Sequence, residues 1–306
     1  MSVTTNNPIF VVGNQRSGTT LLKNIIQKHS DLFFVDYETH FFEILPKIQR
    51  LYPIIIKNVT IDKSLILLIY NIIIHEWKVS HSFNVHNFKF LTKNLPEKFN
   101  HYINEKINYN KSINHIELFH YVFDWLTISN NQKRWIEKTP DHIFHIPMII
   151  NHYPDSKIIT IIRDPRDFIA SRKKRAKNFK KPFFILKEIL DWKKHAETGE
   201  KAKIKYKTAV YNTYFEQLIE ETEDEIWRLC VFLNLPFEET MLNDIPWTGR
   251  LESNKARITV EKEKGVNQQT KGRYINILTK PEIALIQSLL KKKMKHHAYK
   301  PQHQSF

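Results

Sequence analysis

A short apolar run, Ile9-Phe-Val-Val12, stops at Gly13, and beyond the loop Gly13-Asn-Gln-Arg-Ser-Gly-Thr-Thr20 apolar residues recur at Leu21, Leu22, Ile25 and Ile26. The first run is continuous, as in a strand buried on both faces, and the second has the spacing of one helix face. The chain therefore passes from strand through a tight loop into a helix. Two of its six glycines fall in this loop. Glycines there let backbone N–H groups converge on an anion at the helix N-terminus, where the helix dipole also favours negative charge. A phosphate-like group is expected in the loop, at the edge of an α/β sheet.

The alternation continues downstream. Apolar runs predict strands from Leu32 to Val35, Arg134 to Glu137, Lys157 to Ile162 and Thr208 to Tyr211, with helical patterns between them. That order predicts an α/β fold, a parallel β-sheet flanked by helices. A helix is expected from Phe215 to Phe232, then a turn at Leu235-Pro236, and an amphipathic helix from Lys280 to Met294. The stretch from Phe41 to Lys133 is too long for a simple crossover, and Leu65 to Lys78 and Ile113 to Leu126 carry helical periodicity, so it reads as a helical insertion. No repeat or low-complexity linker divides the chain, and its 306 residues are read as a single domain.

The formal charge of +15 invites a polyanion-binding reading. Lys, Asn and Ile are abundant throughout, so the clustering of charge says more than its total. Arg172 to Lys181 holds seven basic residues and no acid, whereas the lysines from Lys291 to Lys295 read as a solvated helix face. The single cysteine, Cys230, excludes an intrachain disulfide and sits in an apolar helical run, where it reads as core packing. The first residues lack the basic-then-apolar arrangement of a signal peptide, which predicts a cytoplasmic location. The longest apolar stretch, Leu65 to Ile74, is broken by Tyr70 and Asn71 and is too short to span a membrane. No His, Cys, Asp or Glu cluster shows zinc or two-metal spacing, and His296-His297 and the pair His142 and His145 are generic, so no metal is expected.

The first loop has the spacing of a Walker A motif, Gly-x4-Gly-Lys-Ser/Thr, with Thr19 where the lysine belongs and Thr20 after it. The Walker lysine reaches the β- and γ-phosphates of a nucleoside triphosphate, and the next hydroxyl holds magnesium. Without that lysine, phosphoryl transfer is poorly served. Arg16 instead brings a fork of donors suited to one terminal oxyanion group, such as a sulfated 5′-phosphate. A second candidate anion site lies where the apolar strand Lys157 to Ile162 runs into Arg163-Asp-Pro-Arg-Asp167. A charge at the end of a buried strand is costly unless an anion meets it. A helix starting near Pro165, capped by Asp164, carries Ser171 about two turns in, able to face the same anion.

Arg16-Ser-Gly-Thr-Thr-Leu-Leu22 resembles the 5′-phosphosulfate-binding loop of the sulfotransferases that use 3′-phosphoadenosine 5′-phosphosulfate (PAPS), and Arg163 with Ser171 resembles their 3′-phosphate motif. The resemblance implies a P-loop-containing fold with PAPS as co-substrate and no metal. It implies that Arg16, Ser17, Gly18, Thr19 and Thr20 hold the 5′-phosphosulfate, and Arg163 and Ser171 the 3′-phosphate. Tyr214-Phe-Glu-Gln-Leu218 is similar to the family's Tyr-Glu-x-Leu element, with Phe215 where Tyr is frequent and Tyr214 the alternative source of that hydroxyl. Thr270-Lys-Gly-Arg-Tyr274 resembles the late basic segment that closes over the 3′-phosphate and adenine, which adds Lys271, Gly272 and Arg273 to the donor site.

Sulfuryl transfer to an alcohol needs a base for the acceptor and a cation for the leaving oxygen, both at the C-terminal sheet edge. Phe34-Val-Asp-Tyr-Glu-Thr-His40 brings Asp36, Glu38 and His40 there. Glu38 resembles the glutamate after strand two in the tyrosylprotein and glycan sulfotransferases and is taken as base, with His40 its rival because an imidazole has the better unperturbed pKa. Asp36 reads as a cap or orienting group. Trp135-Ile-Glu-Lys-Thr-Pro-Asp-His142 resembles the family's Glu-Lys-Thr/Ser-Pro element, with Lys138 the electrostatic stabiliser, Thr139 the helix cap and His142 an accessory acid or acceptor contact. The implied acceptor is a hydroxyl on a glycan, a peptide tyrosine or a lipid, selected by the insertion, and no specific nucleic acid is expected as partner. Two alternatives remain at the level of sequence: a phosphotransferase with a degenerate Walker A loop, and a non-enzymatic module binding polyanions through Arg172 to Lys181.

Overall fold

The computed structural model describes residues 7–34, 38–51, 114–176, 183–243 and 271–300. Its strands are β1 (Ile9–Gly13), β2 (Leu32–Phe34), β3 (Arg134–Lys138), β4 (Lys157–Ile162) and β5 (Val210–Tyr214). They pair in the order β2-β3-β1-β4-β5, all parallel. Around them run α1 (Thr19–Ile26), α2 (Phe41–Leu51), α3 (His115–Ser129), α4 (Ile146–His152), α5 (Pro165–Arg175), α6 (Phe184–Lys205), α7 (Phe215–Glu220), α8 (Thr222–Leu233) and α9 (Lys280–His296). Among the described residues, no helix is long and apolar enough to cross a membrane.

The period of two along β1 divides the core. Ile9 and Val11 pack with Leu22 of α1, Leu218 of α7 and Ile226 of α8. Phe10 and Val12 face the other way, onto Phe42 of α2, Phe119 of α3 and Trp135. A parallel sheet covered on both faces has such strands, apolar at every position. A third cluster, with Phe168, Trp192 and Ile286, joins α5, α6 and α9. Cys230 lies in the layer of Ile9 and Val11, its sulfur 3.8 Å from that of Met241, as a packing residue.

β1 sits between β3 and β4, with Val11 opposite both Lys138 and Ile159. The connections on its two sides diverge, which opens a crevice at the C-terminal ends of these strands, the usual ligand position in open α/β sheets. That crevice receives the loop after β1, the end of β3 and Arg163 after β4.

Several element boundaries differ from the sequence reading; β3 runs on to Lys138 and the last helix to His296. β5 begins at Val210 rather than Thr208 and continues to Tyr214. Its polar residues are satisfied within the protein: Thr160 Oγ1 donates to Asn212 Oδ1 at 2.6 Å, and Thr213 Oγ1 to Glu225 Oε1 at 2.6 Å. An apolar-run criterion registers only the start of such a strand. The helix expected from Phe215 to Phe232 is two helices, broken at Glu221, where φ −126° and ψ 48° leave the helical region. Glu223, Asp224 and Glu225 then supply the acidic first turn that favours a new N-terminus. Of the expected insertion, residues 41–51 and 115–129 are helical, α3 starting with an Asn114–Glu117 capping box. The predicted helix from Leu65 to Lys78 lies outside the described residues, as do Val35 and Asp36.

Candidate active site

The loop after β1 is shaped by contacts that admit no side chain at its ends. At Gly13, with φ +143°, a Cβ would stand 2.7 Å from the carbonyl oxygen of Ile161 on β4. At Gly18, with φ +99°, it would collide with the ring of Phe215. Arg16 adopts φ +73°, an uncommon conformation for a residue with a side chain, and Ser17 N–H closes the turn on Asn14 O at 3.1 Å. Gly13→Ala is expected to cost about 1–3 kcal/mol, because strain and a backbone collision coincide in the sheet centre. A lowered urea midpoint with unchanged slope checks this.

Gly18 stands at the N-cap of α1, makes no side-chain cap, and no acidic residue occupies the first turn. The positive end of the helix therefore meets no negative side chain of its own first turn. Ser17 is fully buried and Asn14 nearly so, yet Ser17 Oγ and Asn14 Nδ2 have no hydrogen-bond partner among the described residues. Buried polar atoms in native proteins are almost always satisfied, so an oxyanion in this loop suits the pattern. Thr19 and Thr20 follow at the first turn of α1.

The second candidate anion site touches the first. Arg163, 8% exposed, donates through Nη1 to the carbonyl oxygen of Arg16 at 3.0 Å, and its guanidinium lies 4.2 Å from the ring centroid of Phe215. Burial pushes its pKa down, against the opposing pull of Asp167, Glu216 and Asp164. Arg16 Nε in turn donates to Ser171 Oγ at 3.2 Å. Ser171 is placed by α5, whose start follows the expected pattern of Pro165 in the first turn and an Asp164 side chain accepting from Arg166 N–H at 2.8 Å.

The late basic turn hangs on α5. Asp167, 2% exposed, accepts from the N–H groups of Gly272 at 2.7 Å and Tyr274 at 2.9 Å, which sets Lys271, Gly272 and Arg273 beside the helix that follows Arg163. Gly272 takes φ +76° in this turn. Lys271 itself pairs with Glu220 at the end of α7. Arg166 stacks on Tyr274 at 4.5 Å.

Tyr214 and Phe215 divide differently from expectation. The Tyr214 hydroxyl is 3.2 Å from His297 Nδ1, beyond α9, while Phe215 is the ring that meets both Gly18 and Arg163. Glu216, next in the chain, accepts from Asp164 N–H at 3.0 Å and from the Tyr299 hydroxyl at 3.0 Å. Burial raises its carboxyl to about 7.

Lys138 ends β3 with 7% exposure, and its ammonium pairs with Glu38 Oε1. The other Glu38 oxygen lies 3.5 Å from His40 Nε2, and His40 Nδ1 lies 2.9 Å from Glu43 Oε1. Burial alone would raise Glu38, but the His40 hydrogen bond and the Lys138 charge prevail and bring it to about 2. Burial alone would lower His40, but hydrogen bonds and charges from Glu38 and Glu43 raise it to about 10. At neutral pH the resting arrangement is thus a carboxylate between two cations. It disfavours His40 as a base, since its proton is held far above neutrality.

Thr139 and His142 have roles other than those expected. Thr139 occupies the cap position of a 3-10 turn, Pro140–His145, without capping it. Its hydroxyl donates to Glu137 and accepts from Thr39 N–H at 2.9 Å. His142 is fully buried, with Nδ1 3.1 Å from Glu137 Oε2 and Nε2 accepting from Phe42 N–H at 3.4 Å. Both ring nitrogens are engaged inside the protein, so His142 positions the segment that carries Glu38 and His40 and does not face an acceptor.

Sequence reasoning missed the polar support behind the loop. Gln15 Nε2 donates to Asp141 Oδ2 at 3.2 Å, and Asp141 Oδ1 is 3.2 Å from His195 Nε2. Arg172 reaches Gln15 at 3.4 Å and Glu188 at 2.8 Å. These residues come from four separate segments and share no spacing. The same contacts, with Lys173 2.7 Å from Glu282, spend part of the basic cluster on internal ion pairs. That weighs against a free polyanion-binding face; residues 177–181 of the cluster lie outside the described residues.

The geometry can be set beside known proteins. A family model described as "Sulfotransferase family" matches residues 8–239. The sulfotransferase domain of the Synechococcus PCC 7002 olefin synthase is similar in structure, with a TM-score of 0.55 at 17% identity, covering 93% of this chain and 95% of that one. The sulfotransferase domain of the curacin biosynthetic pathway gives a TM-score of 0.55 at 18% identity, covering 94% and 98%. At these identities the likeness shows the fold, an α/β sheet of the P-loop-containing type. An uncharacterized protein of Aquifex aeolicus (strain VF5) is 22% identical over 240 residues, 77% of this chain, which spans 26% of that relative's length.

Proposed function

The chain belongs to the sulfotransferase family, and on that premise we propose that it transfers a sulfuryl group from PAPS to a hydroxyl of a sugar, a peptide tyrosine or a lipid. The observation that carries the proposal is the contact between two anion sites: Arg16 on Ser171, and Arg163 on the Arg16 carbonyl. A nucleotide with charged groups at both its 5′ and 3′ positions suits such a pair. In this reading the 5′-phosphosulfate lies on the loop of Arg16, Ser17, Gly18, Thr19 and Thr20. The 3′-phosphate meets Arg163, Ser171 and the turn of Lys271, Gly272 and Arg273. Tyr214 serves the donor site indirectly, by fixing the end of β5 that presents Phe215.

Transfer is an in-line displacement. The acceptor oxygen bonds to sulfur as the bond from sulfur to the bridging oxygen of the nucleotide breaks, and the acceptor proton passes to Glu38. Lys138 meets the charge left on the bridging oxygen. The pairing of Lys138 with Glu38 at rest links the two roles. As the ammonium turns toward the leaving oxygen, Glu38 loses a partner that depresses its basicity, so the base strengthens when it is needed. The chain acts as a single sulfotransferase domain in which the segment around 41–133 selects the acceptor.

Adenosine 3′,5′-bisphosphate, the product nucleotide, is expected to raise the melting temperature well above the effect of AMP or ATP, without magnesium. At 100 times its dissociation constant the stabilisation is about 2.7 kcal/mol. Ser171→Ala removes one hydrogen bond to a charged group, worth about 1.5–3 kcal/mol, so bisphosphate affinity should fall about tenfold or more while AMP affinity holds. Equal shifts with AMP and the bisphosphate would remove the 3′-phosphate assignment. Candidate acceptor pools incubated with PAPS and read by mass spectrometry for a sulfate increment identify the acceptor.

A further inference from the structure

We propose that Glu200, His296 and His297 form a site for one divalent transition-metal ion of the zinc class, which clamps the end of α9 to α6. Glu200 lies on α6, His296 ends α9 and His297 follows it. One ligand atom from each comes within 4.8 Å of the others. By sequence the two histidines are a generic doublet, and their third partner, Glu200, is remote in the chain.

Two buried atoms point to a ligand. His297 Nε2 and Glu200 Oε1 are 2.8 Å apart, with the His297 side chain 1% exposed, yet neither atom makes a hydrogen bond among the described residues. Facing buried polar atoms without a hydrogen bond between them carry a desolvation cost. A cation bonded to both removes that cost. His296 Nε2 is 3.8 Å from the same oxygen, on an exposed ring that gives an ion access from solvent.

The outer contacts are those of a ligand set. The Tyr214 hydroxyl engages His297 Nδ1 at 3.2 Å, which fixes the ring and leaves Nε2 for the ion. Lys293 Nζ takes the other Glu200 oxygen at 2.5 Å, so the carboxylate offers one oxygen to the site. Two imidazole nitrogens and one carboxylate oxygen suit zinc, with water in the fourth position. Trp192 packs edge-on to His297 and donates to the Arg163 carbonyl at 2.8 Å, so the clamp braces the helix layer behind the donor site.

The test uses the full chain without a histidine tag, stripped by chelator and titrated with Co2+ near neutral pH. One Co2+ per chain is expected, with visible d–d absorption, and Zn2+ should displace it and raise the melting temperature reversibly with EDTA. Because the chain has 15 histidines, variants decide the location. His296→Ala, at an exposed position that folding tolerates, and Glu200→Gln should each weaken Co2+ binding about tenfold or more. Absence of saturable one-to-one binding, or binding unchanged in both variants, overturns the proposal and leaves His297 and Glu200 as an ion pair.

Discussion

Glu38→Gln is expected to lose about 10²- to 10⁴-fold in turnover while binding adenosine 3′,5′-bisphosphate as the parent does. Gln keeps an oxygen that accepts from Lys138 but has no basic site for the acceptor proton. The bisphosphate contacts proposed above lie on the first loop, Arg163 and Ser171, away from this side chain, so affinity and melting temperature should report an intact donor site. The pH profile separates Glu38 from His40. With Glu38 near 2, the carboxylate is ionised throughout the neutral range, and kcat/KM should be flat there. With His40 held near 10, an imidazole base would make kcat/KM climb about tenfold per pH unit across that range. His40→Ala should therefore cost less than Glu38→Gln. A variant Glu38→Gln that keeps most of its turnover, with a climbing parent profile, moves the base role to His40.

The parts of this site legible in sequence were those with a local cause. The loop after β1 was readable because glycine concentration, an apolar strand and helical spacing coincide within residues 9–26. Asp164, Pro165 and Ser171 were readable because a cap, a first-turn proline and the helical rise are all properties of one segment. What required the fold was every contact between segments. Nothing near Arg16 says that its guanidinium reaches Ser171, and nothing in Tyr214-Phe215 says which ring faces the loop, since consecutive residues at a strand end point to opposite sides. Thr139 had the right neighbours for a cap, but the buried carboxylate of Glu137 competes for its hydroxyl and wins. His142 was misread for a related reason: a histidine near an active-site strand looks chemical until both nitrogens are found engaged. Gln15, Asp141 and His195 left no signal, because a three-segment polar chain has no period.

Lys138→Met is expected to lower turnover by about 10²- to 10³-fold, the usual cost of removing one preorganised stabiliser of developing negative charge. Methionine retains much of the buried stem and removes the ammonium, so packing at the end of β3 changes little. A second consequence distinguishes a catalytic lysine from a structural one. Burial raises the Glu38 pKa, and the His40 hydrogen bond and the Lys138 charge and hydrogen bond lower it to about 2. Without Lys138 the opposing contributions shrink, and the carboxyl pKa moves up toward its ordinary range. The ionised form is the base, so activity is lost on the acid side at the pH where that form is depleted, and the acid limb of kcat/KM shifts to higher pH. Lys138→Arg, which keeps a cation beside Glu38, should restore the position of the limb more fully than the turnover, because a planar fork reaches the bridging oxygen differently from a point charge. A lysine that served only to hold β3 would lower the melting temperature in both variants and leave the acid limb where it was, and that outcome would make Arg16, the cation of the first loop, the candidate for the stabilising role.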